Sequence, residues 1–189
     1  GTVAVEGWPD TTTQVGDELR SILTVFGADV RRSGAALVVD GGAGVIGGRT
    51  FAGVDLDLSR GGELAPAIVA LAAFASSPSV ITGIGHLRGH ETDRLHALAT
   101  ELNELGGAVT EQADGLAIEP RPLTARGDRP WQSYADHRMA TAGAIIGLGF
   151  PGLAIDDIGT TAKTLPDFPR LWASLLGDAA PTALPDRAG

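Results

Sequence analysis

The sequence predicts an α/β (α+β) fold, repeated βαβαββ units around buried helices, and three observations predict it. A helix–strand–strand pattern recurs at a constant offset, two helical segments are apolar on every side, and short alternating strands lie between them. Residues 19–30, closed by 37–39, return as 98–109, closed by 116–118, and the offset is 79 residues in both places. The first copy reads as an amphipathic helix stopped by Gly27, a strand, a turn and a second strand. Val-Asp-Leu-Asp-Leu at 54–58 alternates as a half-buried strand does. Residues 64–75 carry no polar face, so the helix they form is buried all round.

In the second copy Leu95, Leu98, Leu102 and Leu105 fall on one helical face, ended by Gly106. A second all-apolar helix follows at 137–148, rich in Ala, Gly and Ile, with a strand expected at 153–155. A last amphipathic helix, opened by Pro166, spans 167–176 with Phe168, Leu171, Trp172 and Leu175 as its stripe. Roughly two and a half units of strand, buried helix, strand, amphipathic helix and two strands fit the chain. One domain is expected at 1–177 and a disordered tail at 178–189, where two prolines and several alanines gather.

At 189 residues the chain is long enough for a proper core. It holds no cysteine, which suits a reducing compartment, and a cytoplasmic location is expected. Its longest apolar run is too short for a bilayer core of about 30 Å, and no secretory leader opens it. With 23 acidic and 14 basic residues the net charge is −9, opposite to the balance of a nucleic-acid binder. The chain opens on Gly1-Thr2-Val3 without methionine, as an interior piece of a longer protein would.

Three clusters mix cations with carboxylates at helix entrances: 89–94 (Gly-His-Glu-Thr-Asp-Arg), 134–140 (Tyr-Ala-Asp-His-Arg-Met-Ala) and 161–168 (Thr-Ala-Lys-Thr-Leu-Pro-Asp-Phe). Helix N-termini offer unpaired N–H groups and a positive dipole end, and nearby Arg or Lys complete an anion site. Arg94 and Arg138 suit a planar carboxylate, Lys163 a phosphate, and the acids beside them a proton transfer. Glu91 and Arg94, three apart, are expected on one face of a helix start.

Each residue taken singly also has a structural reading. Glu63, Glu91 and Asp93 suit helix dipoles as caps, Arg138 can snorkel, and Asp136 can be its ion-pair partner. Lys163 can be a solvated loop lysine. His86 and His90 beside Glu91 mimic a metal set, but a glycine interrupts the helical spacing such a site needs, and no metal is predicted.

Together the clusters resemble the C-terminal half of the 5-enolpyruvylshikimate-3-phosphate synthase (3-phosphoshikimate 1-carboxyvinyltransferase) family. Residues 87–95 are similar to one of its signature motifs, and Asp136-His137-Arg138-Met139-Ala140 and Thr161-Ala162-Lys163-Thr164-Leu165-Pro166 to its other landmarks. The resemblance implies βαβαββ units around buried parallel helices, and transfer of the enolpyruvyl group of phosphoenolpyruvate to the 5-hydroxyl of shikimate 3-phosphate, in the shikimate pathway. No cofactor is implied. By position Glu63 would be the base for the accepting hydroxyl, and Glu91 the acid and then base at the enol methylene. Arg94 and Arg138 would hold the phosphoenolpyruvate carboxylate, Lys163 its phosphate, while Asp136 and His137 complete a polar wall and His86 and His90 belong to the substrate-binding set. Glyphosate would compete for the same cations.

Most members carry Asp at Glu63 and Lys at His90, and both departures suit an actinobacterial branch. A histidine at position 90 implies that phosphoenolpyruvate binding weakens as pH rises through the histidine range. An affinity flat from about pH 6 to 8, with and without His90→Ala, would remove that expectation. The family's upstream substrate-clamp segments are not in this sequence. The chain is therefore expected to fold, to expose a sheet edge where the family's N-terminal strand docks, and to need the missing N-terminal half for turnover. The other readings are a non-catalytic module for a phosphorylated ligand, or a sister enolpyruvyl transferase acting on UDP-N-acetylglucosamine. The latter shares the fold without the Glu-Thr-Asp-Arg and Asp-His-Arg-Met combination.

Overall fold

The 79-residue offset reappears as geometry. Hairpin β2 (Asp29–Ser33) and β3 (Ala36–Asp40) moved by 79 gives 108–112 and 115–119, the bounds of β6 (Ala108–Gln112) and β7 (Gly115–Glu119). Each hairpin follows an amphipathic helix, α1 (Leu19–Val25) or α3 (Arg94–Glu104). Each helix is closed by a glycine in the left-handed region, Gly27 at φ 87° and Gly106 at φ 83°, which lets the chain reverse into the hairpin. The computed structural model describes residues 1–45, 48, 50–124 and 129–177, so the tail expected at 178–189 lies outside the described residues.

The second unit is complete. β4 (Asp55–Asp57) leads through α2 (Ala65–Ala72) to β5 (Ser79–Thr82), which pairs parallel with β4 as a crossover helix requires. β5 then pairs antiparallel with β7, giving the order β4-β5-β7-β6. The first sheet repeats part of this order as β1-β3-β2, with β1 (Thr2–Val5) at its edge and all four β1 residues exposed.

In the third unit α4 (His137–Gly149) stands where α2 stands in the second, and α2 and α4 pack together. Their contact faces are apolar and inaccessible, among them Ala65, Ile68, Val69, Met139, Ala142 and Ile146. The strand expected at 153–155 is reduced to one parallel bridge, Trp131 to Ile155. Pro130 has no N–H to extend the ladder on one side, and Pro151-Gly152 turn the chain just before the other. α5 (Phe168–Leu176) closes the described chain.

Trp131 is buried and donates its indole N–H to the Met139 carbonyl at 2.9 Å. A Cβ on Gly143 would lie 2.6 Å from the Trp131 ring. Gly143→Ala is therefore expected to lower stability by about 1–3 kcal/mol through overpacking, read from the urea midpoint. An unchanged midpoint would show that the Trp131 ring yields freely.

Candidate active site

The chemistry-bearing groups come from loops at the starts of α2, α3 and α4 and from the 3₁₀ turn that precedes α5. Asp93 caps α3 by accepting the His96 N–H at 3.0 Å, which fixes Arg94 as the first helical residue. Asp136 caps α4 by accepting the Arg138 N–H at 2.8 Å. Asp157 caps the turn Ile158–Lys163 by accepting the Gly159 N–H at 2.9 Å. Three caps thus aim Arg94, Arg138 and Lys163 from fixed backbone positions.

Arg94 and Asp136 form the centre. Asp136 is wholly buried and the Arg94 side chain is 3% exposed. Arg94 Nε donates to Asp136 Oδ2 at 2.7 Å and Nη2 to Oδ1 at 3.2 Å, a bidentate pair. Glu91 Oε2 lies 3.6 Å from Arg94 Nη2 and 3.2 Å from His137 Nδ1, and Lys163 Nζ contacts Glu91 Oε1. One carboxylate, partly exposed, therefore sits among a buried guanidinium, an imidazole and a solvated ammonium. Glu91 is not on the helix face that its spacing suggests, since α3 begins at Arg94 and Glu91 occupies the loop before the cap. The loop still returns its carboxylate to Arg94.

Burial pulls His137 below the usual histidine value; the Asp136 charge opposes this, and the Arg138 and Arg94 charges reinforce it. The ring is therefore neutral at neutral pH, and among the described residues its buried Nδ1 has no hydrogen-bond partner despite the nearby Glu91 oxygen. Burial also lowers Arg138, and repulsion from Arg94 adds to that. Two guanidinium groups that repel each other in a half-buried pocket gain from an anion placed between them.

Arg138 Nη1 donates to the Glu63 carbonyl at 2.8 Å, which brings the exposed Glu63 beside the cluster. His86 and His90 are exposed and lie together, ring centroids 5.9 Å apart. His86 packs against Gly62, where a Cβ would fall 2.5 Å from its Nε2, so it borders the Glu63 turn. The site residues expected from the sequence thus gather in one region, with Asp136 buried beneath it and the histidine pair at its margin. Glu91, Asp136 and His137 present donor atoms within 4.8 Å of one another. Both carboxylates of that set are already paired with cations.

The sequence profile of the EPSP synthase (3-phosphoshikimate 1-carboxyvinyltransferase) family matches residues 1–172. The chain belongs to the EPSP synthase family. A 3-phosphoshikimate 1-carboxyvinyltransferase of Kocuria rhizophila is 60% identical over 177 residues, 94% of this chain and 38% of that protein. The chain therefore spans well under half the length of this relative. An EPSP synthase structure from Acinetobacter baumannii superposes with a TM-score of 0.73 at 27% identity, over 92% of this chain and 41% of the other. The enolpyruvyl transferase NikO of Streptomyces tendae shares the fold, with a TM-score of 0.61 at 18% identity over 85% of this chain and 35% of its own. The expected fold class is thus observed, and the Kocuria relative agrees with the actinobacterial character read from positions 63 and 90.

One group that this member of the EPSP synthase family buries beside the cluster escapes the sequence reading. Glu101, on α3, is 2% exposed and binds the segment that leads to Asp136. The signal available was a glutamate between Leu98 and Leu102 on an otherwise apolar face.

Proposed function

We propose that this chain supplies the proton-transfer and phosphoenolpyruvate-binding part of an enzyme that moves the enolpyruvyl group onto the 5-hydroxyl of shikimate 3-phosphate and releases phosphate. The observation that carries this is the Glu91 carboxylate set between Lys163, His137 and Arg94, with Arg138 alongside. A carboxylic acid there is placed to hand a proton to the enol methylene while cations hold the rest of the molecule.

In the first step the accepting hydroxyl adds to C2 of phosphoenolpyruvate as its C3 gains a proton from Glu91. Glu63 takes the hydroxyl proton. In the second step a C3 proton returns to Glu91, the double bond re-forms and phosphate leaves from C2. Arg94, with Nη1 not engaged by Asp136, and Arg138 hold the carboxylate, and Lys163 neutralises the departing phosphate. Neutral His137 backs the same pocket, its buried Nδ1 lying 3.2 Å from Glu91 Oε2. His86 and His90 border the side where Glu63 meets the acceptor. Glyphosate, with its own carboxylate and phosphonate, would occupy the same cations.

The remaining shikimate 3-phosphate contacts come, in this reading, from a separate N-terminal portion, and the chain alone does not turn over. No helix among the described residues is long and apolar enough to cross a membrane, and a cytoplasmic site of action is part of the proposal. The test is phosphate release from phosphoenolpyruvate plus shikimate 3-phosphate, by the chain alone and mixed with a matching N-terminal portion. Turnover only in the mixture is expected. Ligand binding without turnover in a folded mixture would favour a binding module, and activity with UDP-N-acetylglucosamine instead would favour the sister reaction.

A further inference from the structure

We propose that Glu101 is a positioning residue of the anion site, holding from α3 the left-handed Tyr134–Ala135 turn that delivers Asp136 to Arg94. The proposal rests on the reading of that site as one for phosphoenolpyruvate. Tyr134 and Ala135 both have φ 54°, and neither is glycine. Two successive side-chain-bearing residues in that region are strained, and such a turn persists only where its surroundings over-determine it.

Glu101 supplies much of that determination. Its Oε1 accepts the Tyr134 hydroxyl at 2.8 Å and Arg129 Nη2 at 2.9 Å, while Oε2 accepts the Gln132 N–H at 3.1 Å. Every partner of the Glu101 side chain among the described residues lies in 129–134, the stretch that runs into Asp136. Beyond Glu101, the Ser133 N–H donates to Asp156 Oδ1 at 2.8 Å, and the Asp136 N–H to the Ser133 carbonyl at 2.9 Å.

A carboxylate buried in the apolar face of a helix is a poor choice if stability is the only demand, because a well-packed apolar side chain there does as well or better. Its use here closes a ring. α3 grips Asp136 directly through Arg94 at its first residue and grips the preceding turn through Glu101 two turns on. Both ends of the segment that presents the Arg94–Asp136 pair are thereby fixed to one helix. A turn released at Tyr134 would swing Asp136 away, and with it the orientation of Arg94 and the cap of α4.

The chain carries its own reporter, since Tyr134 is the one tyrosine in the sequence. Burial, then the hydrogen bond and charge of Glu101, push its phenol from 10.0 up to about 12. In the 189-residue chain, phenolate absorbance read seconds after a jump to pH 11 is expected to be low in the wild type and high in Glu101→Gln. In the chain joined by its N-terminal portion, Glu101→Gln and the milder Tyr134→Phe are each expected to raise the KM for phosphoenolpyruvate about tenfold. The KM for shikimate 3-phosphate and kcat should stay within about twofold. Adding Ala135→Gly to Glu101→Gln should restore most of that KM, because glycine adopts the turn without penalty. Equal phenolate signals, equal changes in both KM values, or no recovery from Ala135→Gly would each overturn the proposal. A wild-type assembly without turnover would instead sink the reading of the site, and the phenolate comparison, which needs no substrate, would still decide whether Glu101 holds the turn.

Discussion

Glu91→Gln is expected to lower kcat of the assembled enzyme by about 10²–10⁴-fold while leaving the fold intact. The glutamine matches glutamate in shape but neither gives up nor accepts a proton at neutral pH. Glu91 is 27% exposed and lies in the loop before α3, so the change empties no part of the core. Its direction on affinity is diagnostic. Glutamine beside Lys163 and Arg94 is uncharged, as is the carboxylic acid that hands over the proton, so the KM for phosphoenolpyruvate should not rise. Steady-state phosphate release on both forms checks this. A kcat within about threefold of wild type would remove Glu91 from the proton-transfer role.

The largest effect on stability is expected at Asp136. Asp136→Ala leaves the Arg94 guanidinium buried without its bidentate partner and removes the acceptor that caps α4. Breaking a buried pair from one side costs about 3–5 kcal/mol, and loss of a cap about 1 kcal/mol more. Asp136→Asn separates the two, since its carbonyl can still cap α4 while the charge opposite Arg94 is gone. Pairing Asp136→Ala with Arg94→Met should cost less than the sum of the single changes, because no charge is then left stranded. Urea unfolding at neutral pH measures all four proteins. A loss below about 1 kcal/mol for Asp136→Ala would mean that water or Glu91 takes over the pairing.

What the sequence made legible follows from how far each signal reaches along the chain. The two hairpins were readable because their helix, glycine and strands recur at one offset. The helices α2 and α4 were readable because a segment without a polar face has only one place to go. The clusters around Glu91, Asp136 and Lys163 were readable as short runs of mixed charge at helix entrances, yet their meeting depends on the packing of α4 against α2 and on the turn before α5. Residues 153–155 read as a strand because Leu and Ile flank Ala there; pairing, which composition does not report, decides otherwise. Glu101 lay out of reach for a different reason. Its partners Arg129, Gln132 and Tyr134 are 28, 31 and 33 residues away, and in sequence a helical glutamate looks solvated.

The alternation of Lys163, Glu91, Arg94, Asp136 and Arg138 places three cations against two carboxylates inside a chain of net charge −9. The far field and the near field of this molecule therefore have opposite signs. An approaching anion meets net repulsion, which salt weakens beyond about 8 Å, and is drawn in only when it is beside the cations themselves. For the chain by itself, added salt should quicken the encounter while loosening the bound state. Steering at a distance then has to come from whatever faces this surface.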